Sequence, residues 1–198
     1  MQNRKARVLG WIVSAALLLI AAGAVAQDRQ WVAQWEGAQR ERPANVGSVG
    51  RIAPANEPGT PMIIHGRVFQ SDGTTPAEGI TVFAYQTDRT GIYNERGTPG
   101  WRLRGWAKSD AAGRFEFRTI RPGSYPRGRV PAHVHLTIEG SDLPRRWTGE
   151  LRFADDPYLR EADRRAAAEK FGSVREVTVR DGVQHVDLNL RIENEGRF

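Results

Sequence analysis

Two histidines separated by one residue are the first feature of this sequence that could support chemistry. His133 and His135 lie in the segment Pro131-Ala132-His133-Val134-His135. If this segment is a β-strand, residues two apart point to the same face, so the two imidazoles converge while Val134 packs into the core. A converging pair of neutral imidazoles suits iron, copper, nickel and zinc alike. Taken alone, the pattern fits a surface strand with two solvated histidines equally well.

Two tyrosines are candidates for completing a metal site. Tyr93 lies in a loop after a predicted strand, and Tyr125 lies in a Pro-Gly-Ser-Tyr-Pro turn shortly before the histidine pair. A tyrosine hydroxyl has a pKa of about 10, so only a hard and highly charged cation such as Fe(III) holds it deprotonated at neutral pH. Considered singly, each tyrosine is more often a rim or core residue than a ligand.

The composition narrows the classes of protein and of metal site. The chain has 198 residues, of which 39% are hydrophobic and none is cysteine. This length fits one ordinary domain with an appendage. The absence of cysteine excludes zinc ribbons, iron–sulfur clusters, thiol nucleophiles and disulfide scaffolds. Any bound metal is therefore held by His, Tyr, Asp or Glu.

Short alternating apolar runs, separated by turn residues, predict an all-β fold with an antiparallel β-sandwich core from residue 63 to residue 198. The predicted strands are Ile63–Phe69, Ile80–Gln86, Trp101–Lys108, Arg114–Thr119, His133–Glu139, Trp147–Phe153, Val174–Arg180 and Val183–Ile192. The last two are joined by Asp181-Gly182, a dipeptide typical of a tight hairpin turn.

Two segments depart from the strand pattern. Residues 27–62 show no sustained period and predict an extended N-terminal arm or linker, with one short helix near Trp31 to Arg40. One further helix is predicted in the C-terminal half, from about Pro157 to Phe171. Asp156 is its predicted N-cap, and Gly172 follows its end.

The first 26 residues have the order of a secretory signal peptide. Arg4, Lys5 and Arg7 precede an apolar run from Trp11 to Ala22, which is followed by the cleavage-type segment Ala24-Val25-Ala26. The apolar run is shorter than the roughly 20 residues that a membrane span needs. We therefore expect Sec-type export and a mature chain that works in the periplasm or outside the cell, with an uncleaved N-terminal anchor as the alternative.

Export also changes how the charge is interpreted. The formal net charge of +6 would suit a nucleic-acid or anionic-surface partner. However, the first 26 residues contain three of the 29 Lys and Arg residues and none of the 23 acids, which leaves 26 bases, 23 acids and a net charge of +3. We expect no nucleic-acid partner and, after signal cleavage, no membrane partner. The sequence leaves open whether the chain forms a homo-oligomer.

Several motifs in a fixed order extend the histidine and tyrosine pattern. They are Gly66-Arg67-Val68, Tyr85-Gln86-x-Asp88, Gly91-x-Tyr93, Ser109-Asp110-x-x-Gly113-Arg114-Phe115, Pro122-Gly123-x-Tyr125-Pro126 and Pro131-Ala132-His133-Val134-His135. Over about residues 66–156 the chain resembles the catalytic core of the intradiol ring-cleavage dioxygenases, the family of protocatechuate 3,4-dioxygenase and catechol 1,2-dioxygenase. The joint content of two tyrosines and His-x-His is far more specific than any single motif.

The resemblance implies a non-haem Fe(III) held by Tyr93, Tyr125, His133 and His135. By motif position, Tyr93 would stay bound, and Tyr125 would be the catalytic tyrosinate that the substrate displaces and protonates. The implied substrates are a catechol and O2. The implied reaction opens the ring between the two hydroxylated carbons and gives a muconate-type dicarboxylate.

The sequence departs from the family pattern beside the histidine pair. Family members usually carry an arginine directly before Pro-Ala-His-x-His, and this position is Val130 here. Arg129 is the candidate for the catalytic arginine. It can take this role only if its segment is an irregular loop, because in a regular strand the side chain at position 129 points to the opposite face from the one at position 130. Glu150 stands near the position where the family often has an amide side chain and is a candidate for a role behind the ligands.

Two other interpretations remain open at this point. His133, His135 and Glu139 share one strand face at odd positions, which fits a cupin-like Fe(II) site with two histidines and one carboxylate. The strand and glycine pattern also resembles transthyretin-like and carboxypeptidase regulatory-like sandwich domains, which imply a non-catalytic binding module.

Overall fold

β-Strands dominate the computed structural model of the chain, which describes residues 31–94 and 101–193. The ten strands within these residues are β1 (Val49–Arg51), β2 (Pro61–Phe69), β3 (Thr81–Gln86), β4 (Leu103–Lys108), β5 (Arg114–Ile120), β6 (His133–Glu139), β7 (Arg146–Phe153), β8 (Val174–Arg175), β9 (Thr178–Arg180) and β10 (Val183–Arg191). The six central strands start and end within two residues of the predicted ones, because alternating apolar positions bounded by Gly, Asp and Pro set their limits.

The strands form two five-stranded sheets. Sheet A has the order β1-β5-β2-β10-β9, and sheet B has the order β4-β3-β6-β7-β8. The all-β prediction is confirmed, but three pairings (β1 with β5, β2 with β10, β7 with β8) are parallel. The sheets are therefore mixed and not purely antiparallel as predicted. Parallel partners lie far apart in the chain, so the turn residues that predict hairpins carry no information about them.

The hydrophobic core is built from the inward-facing residues of both sheets. Ile64 and Val68 of β2, Phe117 of β5 and Val134 of β6 are all fully buried in one cluster. Burying a side chain of this size stabilises a fold by about 1.5–3 kcal/mol. The core fixes which face of each strand is left for chemistry, because alternate residues of a strand point to opposite faces of the sheet.

The N-terminal segment contains both a helix and a strand. Residues 31–40 form helix α1, near the predicted position, and the rings of Trp31 and Trp35 stack one helical turn apart at 5.6 Å. This helix lies in a separate unit of the chain, which ends at Glu41, and the second unit begins at Arg42. In the second unit β1 pairs with β5, so part of the segment predicted as an arm is a strand of sheet A.

The predicted signal peptide, residues 1–26, lies outside the described residues. Among the residues that the structure describes, no helix has the length and apolar character needed to cross a membrane.

The prediction of a helix from Pro157 to Phe171 is wrong in extent. The structure has a four-residue helix α2 (Glu161–Arg164) followed by a 3-10 turn (Arg165–Ala168), and Asp156 does not cap it. The Asp156 carboxylate instead accepts hydrogen bonds from the backbone N–H of Ala132 at 3.0 Å and of Tyr158 at 2.9 Å. This use of the carboxylate holds the chain in a turn where the helix was expected to begin.

The C-terminal strands confirm one prediction and correct another. Asp181 and Gly182 adopt φ values of 50° and 77°, as a two-residue hairpin turn requires, and Arg180 pairs with Val183 across it. The single strand predicted over residues 174–180 is instead divided between the two sheets, with β8 in sheet B and β9 in sheet A.

Candidate active site

The histidine pair lies on β6, the middle strand of sheet B. His133 and His135 share one face of the strand, while Val134, Leu136 and Ile138 are at most 1% exposed in the core. The alternation of the strand therefore brings the two imidazoles together as predicted, with His133 Nε2 3.1 Å from His135 Nε2. The rings are perpendicular, so each presents an edge nitrogen to the same small volume.

The loops that carry Tyr93 and Tyr125 approach each other through glycine. The backbone N–H groups of Gly91 and Gly123 both donate to the carbonyl oxygen of Asp88, at 3.1 and 2.8 Å. Gly91 has a φ of +83°, and a Cβ atom there would lie 2.0 Å from a carbonyl oxygen of the Tyr125 loop. Only glycine permits this approach. The two loops therefore pack backbone to backbone and bring their tyrosines over the histidine pair.

The four side chains form one cluster of donor atoms. The Tyr93 hydroxyl lies 2.7 Å from the Tyr125 hydroxyl, 2.8 Å from His135 Nε2 and 3.5 Å from His133 Nε2. The Tyr125 hydroxyl lies 3.1 Å from His133 Nε2. Residues as much as 42 positions apart in the sequence thus meet at one point. The structure brings together all four residues predicted as metal ligands.

The hydrogen bond behind His133 fixes which of its nitrogens is available. Its Nδ1 lies 2.7 Å from the carbonyl oxygen of Pro131. A carbonyl oxygen can only accept, so Nδ1 carries the proton and donates it. The lone pair of Nε2 then faces the two tyrosine hydroxyls, which is the tautomer that a metal ligand needs.

Burial disfavours charge on three groups of the cluster. It raises the pKa of Tyr93 far above the usual value, with a further increase from the neighbouring Tyr125. Burial also raises the pKa of Tyr125, and the negative charge of Glu150 adds to this increase. Burial, together with the positive charge on His133 when it is protonated, lowers the pKa of His135 to about 3. At neutral pH His135 is therefore neutral, and the tyrosines keep their protons unless a cation replaces them.

The spacing of the donor atoms fits one transition-metal ion. Ligand atoms about 2.0–2.1 Å from a shared ion, at angles of 90–120°, lie roughly 2.8–3.6 Å apart. The contacts among the four donors span 2.7–3.5 Å. Two phenol oxygens and two imidazole nitrogens form a hard and borderline donor set that suits Fe(III). Tyr93, Tyr125, His133 and His135 could therefore hold this ion with little rearrangement.

An aromatic stack supports the histidine cluster from β3. The ring of Tyr85 lies over His135 at 4.5 Å between centroids and nearly parallel to it. The Trp101 ring stacks on the other side of Tyr85 at 3.7 Å. The family resemblance predicts an aromatic ring near the iron at Tyr85, with a core position as the alternative, and the sequence identifies Trp101 as a candidate for a pocket wall or the core. Their alignment with His135 follows from a strand register, in which Tyr85 is opposite His135, that local sequence does not encode.

The carboxylate near the histidine pair is Glu150 and not Glu139. Glu139 forms ion pairs with Arg42 and Arg145, so the cupin-like set of two histidines with Glu139 is wrong. Glu150 Oε1 instead lies 3.7 Å from His135 Nδ1 and 3.9 Å from His133 Nε2. Among the described residues, His133, His135 and Glu150 are the His, Cys, Asp or Glu side chains grouped closely enough to share a cation.

Arg129 lies in an irregular segment between Tyr125 and β6, so the condition for its predicted role is met. Its backbone has a φ of 50°, in the left-handed region, and its side chain is exposed. Within the described part of the chain this side chain forms no hydrogen bond or ion pair. The catalytic role of Arg129 stays a prediction.

The two remaining histidines lie on the other sheet. His65 Nε2 is 2.9 Å from His185 Nδ1, across the parallel pair β2 and β10. Each of these residues falls within a predicted strand, but the contact between them depends on the parallel pairing of the two strands.

The comparison with known sequences gives one family. A family model with the description Dioxygenase matches residues 41–192. Catechol 1,2-dioxygenase 2 of Acinetobacter lwoffii is 28% identical over 127 residues, which are 55% of this chain and 46% of that protein. The protocatechuate 3,4-dioxygenase beta chain of Burkholderia cepacia is 29% identical over 113 residues, which are 51% of this chain and 48% of that one. The chain spans about half the length of the curated relatives it matches.

Solved structures show the same fold. The dioxygenase domain of a dioxygenase carbohydrate-binding protein fusion from Streptomyces sp. SirexAA-E aligns with a TM-score of 0.59 at 22% identity, over 76% of this chain and 91% of that one. An intradiol ring-cleavage dioxygenase from Tetranychus urticae aligns with a TM-score of 0.56 at 19% identity, over 79% and 91%. At these identities the likeness concerns the fold alone.

Proposed function

Because the chain belongs to the intradiol ring-cleavage dioxygenase family, we propose that it is a non-haem Fe(III) enzyme that opens a catechol-type ring with O2. The ring opens between the two hydroxylated carbons, and both atoms of one O2 enter a muconate-type dicarboxylate. The single observation that carries this proposal is the convergence of two tyrosine hydroxyls and two imidazole nitrogens within 2.7–3.5 Å.

The donor set of Tyr93, Tyr125, His133 and His135 supports the choice of metal. Burial raises the pKa values of both tyrosines, so only a highly charged cation can replace their protons. Bound there, Fe(III) supplies Lewis-acid activation of the catechol toward O2. The bond from His133 Nδ1 to the Pro131 carbonyl holds one ligand in the required tautomer before any metal arrives.

Tyr125 is the proposed proton acceptor. Its hydroxyl contacts Tyr93 and His133, whereas the Tyr93 hydroxyl contacts Tyr125 and both histidines. The Tyr125 oxygen is therefore held by fewer partners and is the easier one to displace. If a bound metal gave up the Tyr125 oxygen, the raised pKa of Tyr125 would make this tyrosinate a strong enough base to take a proton from a catechol hydroxyl.

The surroundings of the cluster support orientation of the substrate. The stack of Trp101, Tyr85 and His135 limits rotation of the His135 ring. Ligands held rigidly in this way reduce the reorganisation needed when substrate binds. We further propose that residues 1–26 direct Sec-type export, so the reaction takes place in the periplasm or outside the cell.

The proposal is tested with the purified, iron-reconstituted chain. A tyrosinate-to-Fe(III) charge-transfer band should colour it red-brown, and catechol should consume one O2 per ring opened. Isotopic O2 should place two labelled atoms in the dicarboxylate, measured by mass spectrometry. Tyr93→Phe and Tyr125→Phe should each weaken the band, whereas Tyr158→Phe, a matched change at an exposed tyrosine, should leave it unchanged.

Three outcomes would contradict the proposal. A protein that stays colourless after Fe(III) addition has no tyrosinate site. Retention of metal in both cluster variants, without any charge-transfer band, would favour an Fe(II) site built on the histidines and a carboxylate. Catechol binding without oxygen uptake would favour a non-catalytic binding module.

A further inference from the structure

A carboxylate and an indole ring stand on the solvent side of the histidine cluster. The side chain of Glu150 is 44% exposed, while those of His133 and His135 are only 4% and 17% exposed. Trp147 is 38% exposed, and its ring lies 6.2 Å from that of His135. Glu150 and Trp147 therefore present exposed surface directly beside the His135 ring.

A bulge in β7 places these two side chains on the metal side of the sheet. Glu150 is opposite His135, but Trp147 is opposite Thr137, so β7 contains one more residue than β6 over this stretch. The extra residue is accommodated at Gly149, which has a φ of +86°. In a regular strand, residues three apart face opposite ways. The bulge instead points both Glu150 and Trp147 toward the cluster.

Among the residues that the structure describes, no Lys or Arg side chain lies within ion-pair distance of Glu150. Among the described residues its ion-pair distances are to the ring nitrogens of His133 and His135. Arg152, the next base along β7, lies 3.7 Å from Asp163 and donates to Ser173 Oγ at 3.1 Å. An exposed carboxylate beside an aromatic ring repels anions and attracts organic cations.

We propose that Glu150 gives this site a preference for catechols whose side arm is uncharged or positively charged over catechols that carry a carboxylate arm. This inference rests on the proposed function, because it assumes that a catechol binds at the cluster. Glu150 acts on the substrate through charge, and Trp147 offers its ring face to the aromatic or cationic part of the same substrate. Glu150 is therefore a specificity-determining residue.

The test compares three catechols that carry short arms of different charge: an acetate arm, an ethyl arm and an aminoethyl arm. Equilibrium binding to the iron-loaded chain is measured without oxygen from the change in the visible spectrum. The acetate-arm catechol should bind about tenfold more weakly than the ethyl-arm catechol, as expected for one unit charge several ångströms away. The aminoethyl-arm catechol should bind at least as tightly as the ethyl-arm one.

Two variants and a change in salt concentration separate the effect of the Glu150 charge from other effects on catechol binding. Glu150→Gln should bring the affinities of the acetate-arm and ethyl-arm catechols within about twofold. Glu116→Gln on β5 of sheet A removes the same charge far from the cluster and should keep the wild-type ratio. High salt should reduce the ratio in the wild type but not in Glu150→Gln.

The outcomes separate this inference from the proposed function. Equal binding of the three catechols by the wild type, or an unchanged ratio in Glu150→Gln, would overturn the inference and leave the proposed function intact. Failure of every catechol to bind the iron-loaded chain would overturn both.

Discussion

The molecule contains two histidine pairs with nearly the same spacing and very different surroundings. His133 and His135 have ring nitrogens 3.1 Å apart on one strand, and His65 and His185 have ring nitrogens 2.9 Å apart across two strands. In the first pair the rings are perpendicular, and in the second they are parallel within 3°. The centroids of the second pair are 5.3 Å apart, so its rings lie end to end and share one hydrogen bond.

The difference shows what turns two neighbouring imidazoles into ligands. The lone pairs of His133 and His135 face two tyrosine hydroxyls, whereas one nitrogen of the other pair donates to its neighbour and so occupies that lone pair. The His65 side chain is 42% exposed, with the Glu116 carboxylate 3.8 Å away on the next strand. Proximity of two imidazoles is therefore not sufficient to make a metal site. The pair on β6 differs because its lone pairs converge, because further donor atoms lie beside them and because the site is buried.

The largest expected effect is on metal binding. His135→Ala should lower the affinity for Fe(III) more than about 100-fold, because removing even an outer partner of a ligand costs about 10–100-fold. His185→Ala should change it less than twofold. Affinity is measured by competition with a chelator for each variant. A similar loss in the two variants would mean that the pair on sheet A also binds iron, which would invalidate the comparison.

The second prediction concerns the loops that complete the β6 site. Gly91 and Gly182 both have positive φ, but an added Cβ at Gly91 would lie 2.0 Å from the Ser124 carbonyl oxygen, while at Gly182 nothing lies within 4 Å. Gly91→Ala should lower the free energy of unfolding by about 2–3 kcal/mol and weaken the charge-transfer band, because the tyrosine loops must separate. Gly182→Ala should cost only about 1 kcal/mol, from backbone strain.

These two variants are compared by urea unfolding and by iron content. If Gly182→Ala reduced iron content as much as Gly91→Ala, the close approach of the loops would not be what assembles the site.

The third prediction uses the burial of His135. In the metal-free chain, burial holds the pKa of His135 at about 3, against about 6.5 in the unfolded chain. Between these values the unfolded state binds the extra proton, so stability falls as the pH is lowered from 6.5 toward 3. The contribution of this one group should be about 1 kcal/mol for each pH unit, measured by chemical unfolding of the metal-free chain.

His135→Asn is the control for this pH dependence, because asparagine does not titrate. Its free energy of unfolding should fall less steeply between pH 6.5 and 4 than that of the wild type. Parallel slopes would show that His135 is protonated in the native state and that the cluster is wetter than its burial indicates.

The same comparison shows what the sequence could predict. Alternation within β6 predicts that His133 and His135 share a face, and the strand limits follow from local turn residues. The meeting of Tyr93 with Tyr125 depends on loops 32 residues apart, so only the family resemblance indicated it. The contact of His65 with His185 spans 120 residues and depends on a parallel pairing that no local pattern encodes.

Glu150 and Asp156 show which contacts near the site local sequence patterns do not predict. The facing of Glu150 depends on a bulge whose extra residue is visible only in the pairing with β6. Asp156 has the residue type and position of a helix cap, but its carboxylate bonds to Ala132 at the start of the histidine strand instead. In both cases a tertiary contact, and not the local sequence pattern, determines where the carboxylate points.

The smallest expected effect is the coupling between His65 and His185. A neutral hydrogen bond in a partly exposed place contributes about 0.5–1.5 kcal/mol, and exposure of His65 places this one at the lower end. A double-mutant cycle with His65→Ala, His185→Ala and the double variant, followed by urea unfolding, should give a coupling free energy of about 0.5–1 kcal/mol. All three variants should keep the wild-type charge-transfer band. A coupling free energy well above 2 kcal/mol would mean that the pair on sheet A is as strongly constrained as the pair on β6. Burial and neighbouring groups would then not be what distinguishes the two pairs.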